Sequence, residues 1–293
     1  MKTTRICSLN NYSSIEELLV KGLSFSRSSV KKSNLSKKAL NKTVKAKDEI
    51  ELPIDLLNRN MISPYYKGES VEVLFEDERL IALNKNYNQH GHPLHYSEEE
   101  TVLNFLRNTR ADLNLGKVNS NQERGLLYRL DEVTSGLLIY IKDDKNHEYL
   151  RDHFSESVKK KDYLAVVEGH VLKGSSLAHY FLSKGAKGAK RVCNEIEGEE
   201  FGELSYEPLQ YDKENNYSLV KVSLKSGLRH QIRAQMAYIG HPLVGDVLYG
   251  AKESKRVFLH AYEYQFSIDS IGYKLRSENA PLFFDFLNFD SGL

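Results

Sequence analysis

With 293 residues, 40% hydrophobic and 28% charged, the chain has the make-up of a soluble globular protein, one large domain or one domain plus a small module. No apolar run approaches the ~20 residues a membrane-spanning helix needs. The beginning lacks the apolar core of a secretory signal, and Cys7 and Cys193 alone can build neither a disulfide framework nor a cysteine-based zinc site, so the expected setting is cytoplasmic, with no membrane partner.

The net charge of +1 conceals an asymmetry: residues 1–60 hold 12 Lys/Arg and 6 Asp/Glu, a balance of +6, which leaves the remainder at −5. A basic arm suits a polyanion, because phosphate neutralisation supplies most non-specific nucleic-acid affinity. A solvated helical face would look the same by charge alone. Within this region Ser13-Ser14 caps a helix carrying Ile15, Leu18 and Leu19, and Ser26 to Lys32 starts another. Val44 to Leu52 alternates like a strand, and residues 53–69, with Pro53, Pro64 and Gly68, read as a linker.

From residue 70 the pattern turns to strands. Val71, Val73 and Phe75 alternate with acidic positions, Glu76-Asp77-Glu78 makes a turn, and Leu80 to Leu83 returns as a buried strand. Ser97-Glu98-Glu99-Glu100 has capping-box spacing ahead of a helix with Val102, Leu103 and Leu106. Leu137 to Ile141 is an apolar strand, Tyr149, Leu150 and Phe154 mark a helix, and Tyr163 to Val167 is a strand reached through Lys159-Lys160-Lys161. Lys184 to Gly202 reads as a mobile loop. Val220, Val222 and Leu224 alternate, and Ile232, Met236 and Ile239 give a helical face that stops at Gly240. Strands with helices packed on them make the class α+β.

The run Tyr128-Arg129-Leu130-Asp131-Glu132-Val133-Thr134-Ser135-Gly136 sets a carboxylate in a short loop ahead of a strand. On its own, Arg129 and Asp131 read as an ordinary loop pair. Three other segments change that reading: Val73 to Lys85, Lys161-Asp162-Tyr163-Leu164-Ala165-Val166-Val167-Glu168-Gly169, and Gly227-Leu228-Arg229-His230-Gln231-Ile232-Arg233 running on to Gly240-His241-Pro242-Leu243-Val244-Gly245-Asp246-Val247-Leu248-Tyr249-Gly250. With Leu259-His260-Ala261, their order and content resemble the RluA-like family of RNA pseudouridine synthases across residues 70–268. The chain departs from the family pattern at Tyr128, where His is usual, at Leu228, where Arg is usual, and at Asn86, where Pro is usual.

The resemblance implies the pseudouridine synthase fold, a twisted, mostly antiparallel sheet with flanking helices and a central cleft, spanning 70–293. It also implies a small basic RNA-binding module of the alpha-L kind at 1–60, without that module's central Val-Asn-Gly hairpin, and a linker at 61–69. The implied activity is conversion of uridine to pseudouridine in structured RNA by base flipping, by a monomer, with ribosomal RNA ahead of transfer RNA. Asp131 is the essential carboxylate, either attacking the anomeric carbon or removing the neighbouring ribose proton. Arg233 is its expected salt-bridge partner, with Arg229, one helical turn earlier, as competitor. Tyr163 stacks on the flipped base and assists proton removal from C5. Arg129, Leu130, Thr134, Ile232, Arg229 and Leu259 are expected to contact substrate, and Arg27, Lys31, Lys32, Lys160 and Lys161 to contact RNA. The isomerisation is redox-neutral, so no cofactor is expected. His90, His92 and His95 lack metal-ligand spacing, and Gly185 to Lys190 lacks that of a P-loop. The alternative is an inactive RNA-binding or ribosome-assembly protein that keeps the fold.

Overall fold

The computed structural model describes residues 3–58, 61–110, 112–113, 115, 124–182, 189–193 and 198–278. They form two compact units, one from residues up to Glu69 together with His92–Leu113, the other from Ser70–Gly91 and Gly125 onward.

In the first unit β1 (Thr3–Cys7) pairs antiparallel with β2 (Glu49–Pro53). Between them, the Ser26 and Ser36 hydroxyls accept from the Ser29 and Ala39 amides and so start the short helices Arg27–Lys32 and Lys37–Leu40. Ser14 caps a single turn at Ile15–Glu17 that widens into a π-turn over Leu18–Gly22. Ile15, Leu18, Leu19, Phe25, Val30, Ile50 and Leu52 bury together. The expected strand from Val44 is shorter than its alternation, because an amide-to-carbonyl turn from Asp48 to Lys45 interrupts it before Glu49.

Two further expectations change here. The stretch 53–69 is not simply a linker, since Ile54–Asn58 is helical and its Leu56 and Leu57 join this core. The next helix runs Val102–Thr109 and is capped by Thr101, whose hydroxyl accepts from the Asn104 amide, rather than from Ser97. Asn104 reaches the Ser63 carbonyl at 2.7 Å, which ties the helix to the first unit instead of the sheet.

The second unit is built on one ten-stranded sheet: β3 (Glu72–Glu76), β4 (Leu80–Lys85), β5 (Ser135–Ile141), β6 (Val158–Glu168), β7 (Ser175–Leu182), β8 (Arg191–Cys193), β9 (Glu200–Asp212), β10 (Tyr217–Leu224), β11 (Leu259–Ile268) and β12 (Ile271–Arg276). The order is β3-β4-β5-β11-β6-β10-β9-β7-β8, with β12 paired to β11. Every pairing is antiparallel except β5 with β11, which touch in parallel at Ser135–Gly136 and His260–Ala261. Gly136 makes that contact possible: its φ is +105°, and a Cβ there would lie 2.3 Å from the Ala261 carbonyl oxygen. β5 is buried along its whole length, as its unbroken apolar run requires. The region read as a mobile loop contains β8 and the start of β9, while 183–188, most of the glycine-lysine stretch, and 194–197 lie outside the described residues. No helix among the described residues is long and apolar enough to cross a membrane.

Candidate active site

Asp131 sits in a tight turn immediately before β5. The Thr134 amide donates to the Asp131 carbonyl at 3.0 Å, closing the turn. The next carbonyl, that of Glu132, accepts from Lys85 Nζ at 3.0 Å and from the Gln89 amide at 3.2 Å. Lys85 is fully buried and also donates to the Asn86 and Gln89 carbonyls at 2.8 and 2.6 Å. Burial, reinforced by the Arg256 charge, brings the Lys85 ammonium down to about 7. Three carbonyl acceptors require three N–H donors, which only the charged form has. The loop is therefore pinned on both sides of its turn, and the Asp131 side chain keeps 21% of its surface open to the cleft.

The cation facing it is Arg233, on the helix Gln231–Tyr238. Arg233 Nη1 donates to Asp131 Oδ2 at 3.1 Å, while Nε and Nη2 bind Asp246 at 2.7 and 2.9 Å in a bidentate fork. Burial pushes the guanidinium down, but the Asp246 hydrogen bonds and then the Asp131 charge reverse this and hold it above its ordinary value. Asp246 is placed by Gly245, whose φ of +82° and 2.0 Å approach of a hypothetical Cβ to the Arg256 carbonyl exclude a larger residue. Tyr249 adds its ring 5.2 Å below the Arg233 guanidinium.

Just before this helix, His230 adopts a left-handed backbone with φ of +57°, which turns its ring to within 3.7 Å of Asp131 Oδ2. Burial holds this imidazole below its ordinary value, and its Nδ1 meets the Tyr249 hydroxyl at 3.1 Å. Gln231 fixes the approach to the helix: its side-chain oxygen accepts from the Leu228 amide and the Ser226 hydroxyl, and its nitrogen donates to the Glu203 carbonyl.

Across the cleft stands Tyr163, in β6. Its hydroxyl is 2.7 Å from that of Tyr264 in β11, and the Tyr264 ring stacks on Tyr128 at 4.2 Å between centroids. Burial drives the Tyr163 phenol up to about 12, with the Tyr264 hydrogen bond pulling it back and the Asp131 charge adding to the rise. The residue that replaces the usual His thus leaves the loop anchored: Tyr128 donates to the Leu137 carbonyl at 2.8 Å.

Asp131, Tyr163 and Arg233 meet in one open cleft, lined also by Arg129, Leu130, Thr134, Ile232 and Leu259. A family model described as RNA pseudouridylate synthase matches residues 79–238, a span that contains the loop, the tyrosine strand and the arginine helix. The chain belongs to this family. It is 30% identical to an uncharacterized RNA pseudouridine synthase of Helicobacter pylori J99 over 95% of this chain and 89% of that one. It is 28% identical to ribosomal large subunit pseudouridine synthase D of Borreliella burgdorferi, over 84% and 78%. The solved structure of human RNA pseudouridylate synthase domain containing 1 superposes with a TM-score of 0.59 at 20% identity, covering 71% of this chain and 83% of that one, which establishes the shared fold. The protein is an RluA-like RNA pseudouridine synthase, an isomerase of uridine in RNA.

Several residues of the synthase lie elsewhere than expected. Arg229 is not one turn along the helix from Arg233; it is exposed in the turn before the helix begins and does not line the cleft. Lys160 is taken up by Asp162 and Glu263 at 2.9 and 3.0 Å. Lys161 is buried, donating to the Ser226 carbonyl at 2.9 Å beneath the Phe154 ring, so both lysines are engaged within the protein. Leu228 does not leave a gap, since it lines the cleft and packs against the buried group of Phe181, Val192 and Ala234. Asp246, His230, Lys85 and Tyr264 were not expected at the site, although all but Tyr264 stand inside the family-like motifs. No three His, Cys, Asp or Glu side chains among the described residues come together to hold a metal ion.

Proposed function

We propose that Asp131, Arg233 and Tyr163 carry out the isomerisation, and that the substrate is ribosomal RNA. The Arg233–Asp131 contact of 3.1 Å, in a cleft that Tyr163 also lines, carries this reading. Breaking the bond between N1 and the ribose needs an ionised carboxylate beside the anomeric centre. A buried guanidinium within hydrogen-bond reach keeps such a carboxylate charged. An ionised Asp131 serves either attack on the anomeric carbon or removal of the adjacent ribose proton. Ile232 and Leu259 supply apolar walls for a base, Tyr163 a ring to stack on it, and Thr134 the closed turn that aims Asp131.

Arg129 at the exposed cleft rim suits the phosphate flanking the extruded nucleotide. Arg27, Lys31 and Lys32, exposed on one short helix of the first unit, suit the phosphates of a structured RNA. Ribosomal RNA is favoured because relatives are named ribosomal large subunit pseudouridine synthases. An inert RNA binder is disfavoured because binding alone has no use for a buried Arg233 aimed at Asp131.

RNA carrying tritium at C5 of uridine tests the proposal. The wild type should release tritium from ribosomal RNA and Asp131→Asn should not. Release from transfer RNA alone would reassign the substrate, and release by Asp131→Asn would remove the carboxylate from its role.

A further inference from the structure

Tyr264 does not line the cleft, yet it joins both of its sides. In a regular strand Ala261 and Tyr264, three residues apart, would face opposite sides of the sheet. A bulge in the β11–β6 register between Ala261 and Glu263 puts both on the side of Tyr163. Small Ala261 lies opposite Tyr163 and leaves room for its ring, and the next position on that face brings in the Tyr264 phenol. Tyr264 is 2% exposed, and a phenol buried that deeply needs a hydrogen-bond partner; here it is Tyr163 Oη, at 2.7 Å. Tyr128 stacks on the face of the Tyr264 ring, nearly parallel at 4°, while spending its own hydroxyl on the Leu137 carbonyl. Because Tyr128 is three residues from Asp131, the stack links the Asp131 loop to the Tyr163 hydroxyl.

We propose that Tyr264 is a positioning residue for the reaction: its hydroxyl donates to the Tyr163 oxygen, and its ring, clamped by Tyr128, fixes that oxygen over C5 of the turned base. This rests on the reading that Tyr163 takes the C5 proton. After the new bond from C5 to the ribose forms, the C5 hydrogen leaves as a proton by way of the Tyr163 oxygen to water. N1 takes one proton from water, so nothing is consumed. To take the C5 proton, Tyr163 first gives its own hydroxyl proton to water, and a donor already aimed at the oxygen stabilises the negative charge it carries until the C5 proton arrives. Tyr163 is the only one of the three phenols on the cleft lining, so Tyr264 acts through it and does not touch the base.

Tyr264→Phe tests this, since the remaining ring keeps the stack on Tyr128. The expected result is a kcat roughly 10-fold or more lower, as for loss of a hydrogen bond to a charge-bearing group. KM should stay within about twofold, and the rising alkaline limb of the rate profile should move to higher pH. A second readout is independent of turnover: protein labelled with fluorotyrosine is titrated by fluorine NMR, the Tyr163 signal being the one missing from Tyr163→Phe. Its midpoint should rise in Tyr264→Phe. An unmoved midpoint, or an unchanged kcat and pH profile with only a lower melting temperature, would overturn the proposal and leave Tyr264 a packing residue. Absence of tritium release by the wild type would instead strike the reading beneath it, while the titration still decides whether Tyr264 donates to Tyr163.

Discussion

Asp246 takes both Nε and Nη2 of Arg233, at 2.7 and 2.9 Å, and leaves Nη1 to meet Asp131. The guanidinium is therefore oriented by a carboxylate that does not line the cleft, at 1% exposure of its side chain. Asp246→Asn keeps the shape and removes the charge and one of the two acceptors. Because it leaves a buried cation half-paired, stability should fall by roughly 2–4 kcal/mol. With Arg233 free to turn, kcat should fall at least about 10-fold while KM changes little. Denaturant unfolding together with tritium-release kinetics checks both, and a variant with wild-type kcat would show that Asp131 alone suffices to orient Arg233.

How far the sequence could be read depends on the range of each interaction. Asp131, Tyr163 and Arg233 were legible only through the family resemblance of the runs that hold them; read alone, Asp131 is an ordinary loop pair with Arg129. Asp246 lay in plain view after Gly245, but its grip on Arg233 depends on a turn that no periodicity reports. Tyr264 was hidden by the bulge, since counting alternate residues from Ala261 puts it on the wrong face. Lys160 and Lys161 looked like phosphate contacts because a lysine run was read without its neighbours; Asp162, Glu263 and the Ser226 carbonyl claim them only once β6, β10 and β11 are side by side. The helix at Val102 starts from Thr101 because tertiary contacts with Ser63 select that cap over the capping-box spacing at Ser97.

The parallel contact of β5 with β11 is a second point of sensitivity. Gly136→Ala would put a methyl group 2.3 Å from the Ala261 oxygen and force φ of +105° on a residue that resists it. The loss expected is roughly 3 kcal/mol or more. Asp131 lies just upstream, so the rate should fall as well in whatever fraction remains folded. A variant that melts at the wild-type temperature would mean that the two strands can separate there without cost.

Acid should unfold the enzyme in two stages. Burial takes His260 from its ordinary 6.5 to about 4, against a hydrogen bond to Ser277 that favours the charged ring. Between those values the unfolded chain binds a proton that the folded one refuses, so stability falls as pH drops from 6.5 to 4. Burial raises Glu263, but hydrogen bonds from Arg276, Lys160 and Gln265 outweigh it and hold the carboxyl at about 2 instead of 4.5. Its contribution is complete above 4.5 and is lost as pH falls towards 2. Each shift corresponds to roughly 3 kcal/mol. Melting temperatures from pH 7 to 3 should fall through both windows, and Glu263→Gln should flatten only the lower one. A flat profile from 6.5 to 4 would exclude His260 as the first group.

The basic helix of the first unit offers a test that does not depend on turnover. Lys31 and Lys32 are exposed at the end of Arg27–Lys32, and no ion pair to either occurs among the described residues. If both neutralise RNA phosphates, Lys31→Ala with Lys32→Ala should weaken binding by a similar factor for every structured RNA tried. The slope of log K against log salt should become shallower by roughly 2, about one for each phosphate no longer neutralised. Single-turnover rates at saturating RNA should not change, because neither side chain is part of the Asp131 cleft. Filter binding of a ribosomal RNA stem-loop at several salt concentrations measures the slope. A slope equal to that of the wild type would place the RNA on other residues of the chain, and Arg129 at the cleft rim would be the next to replace.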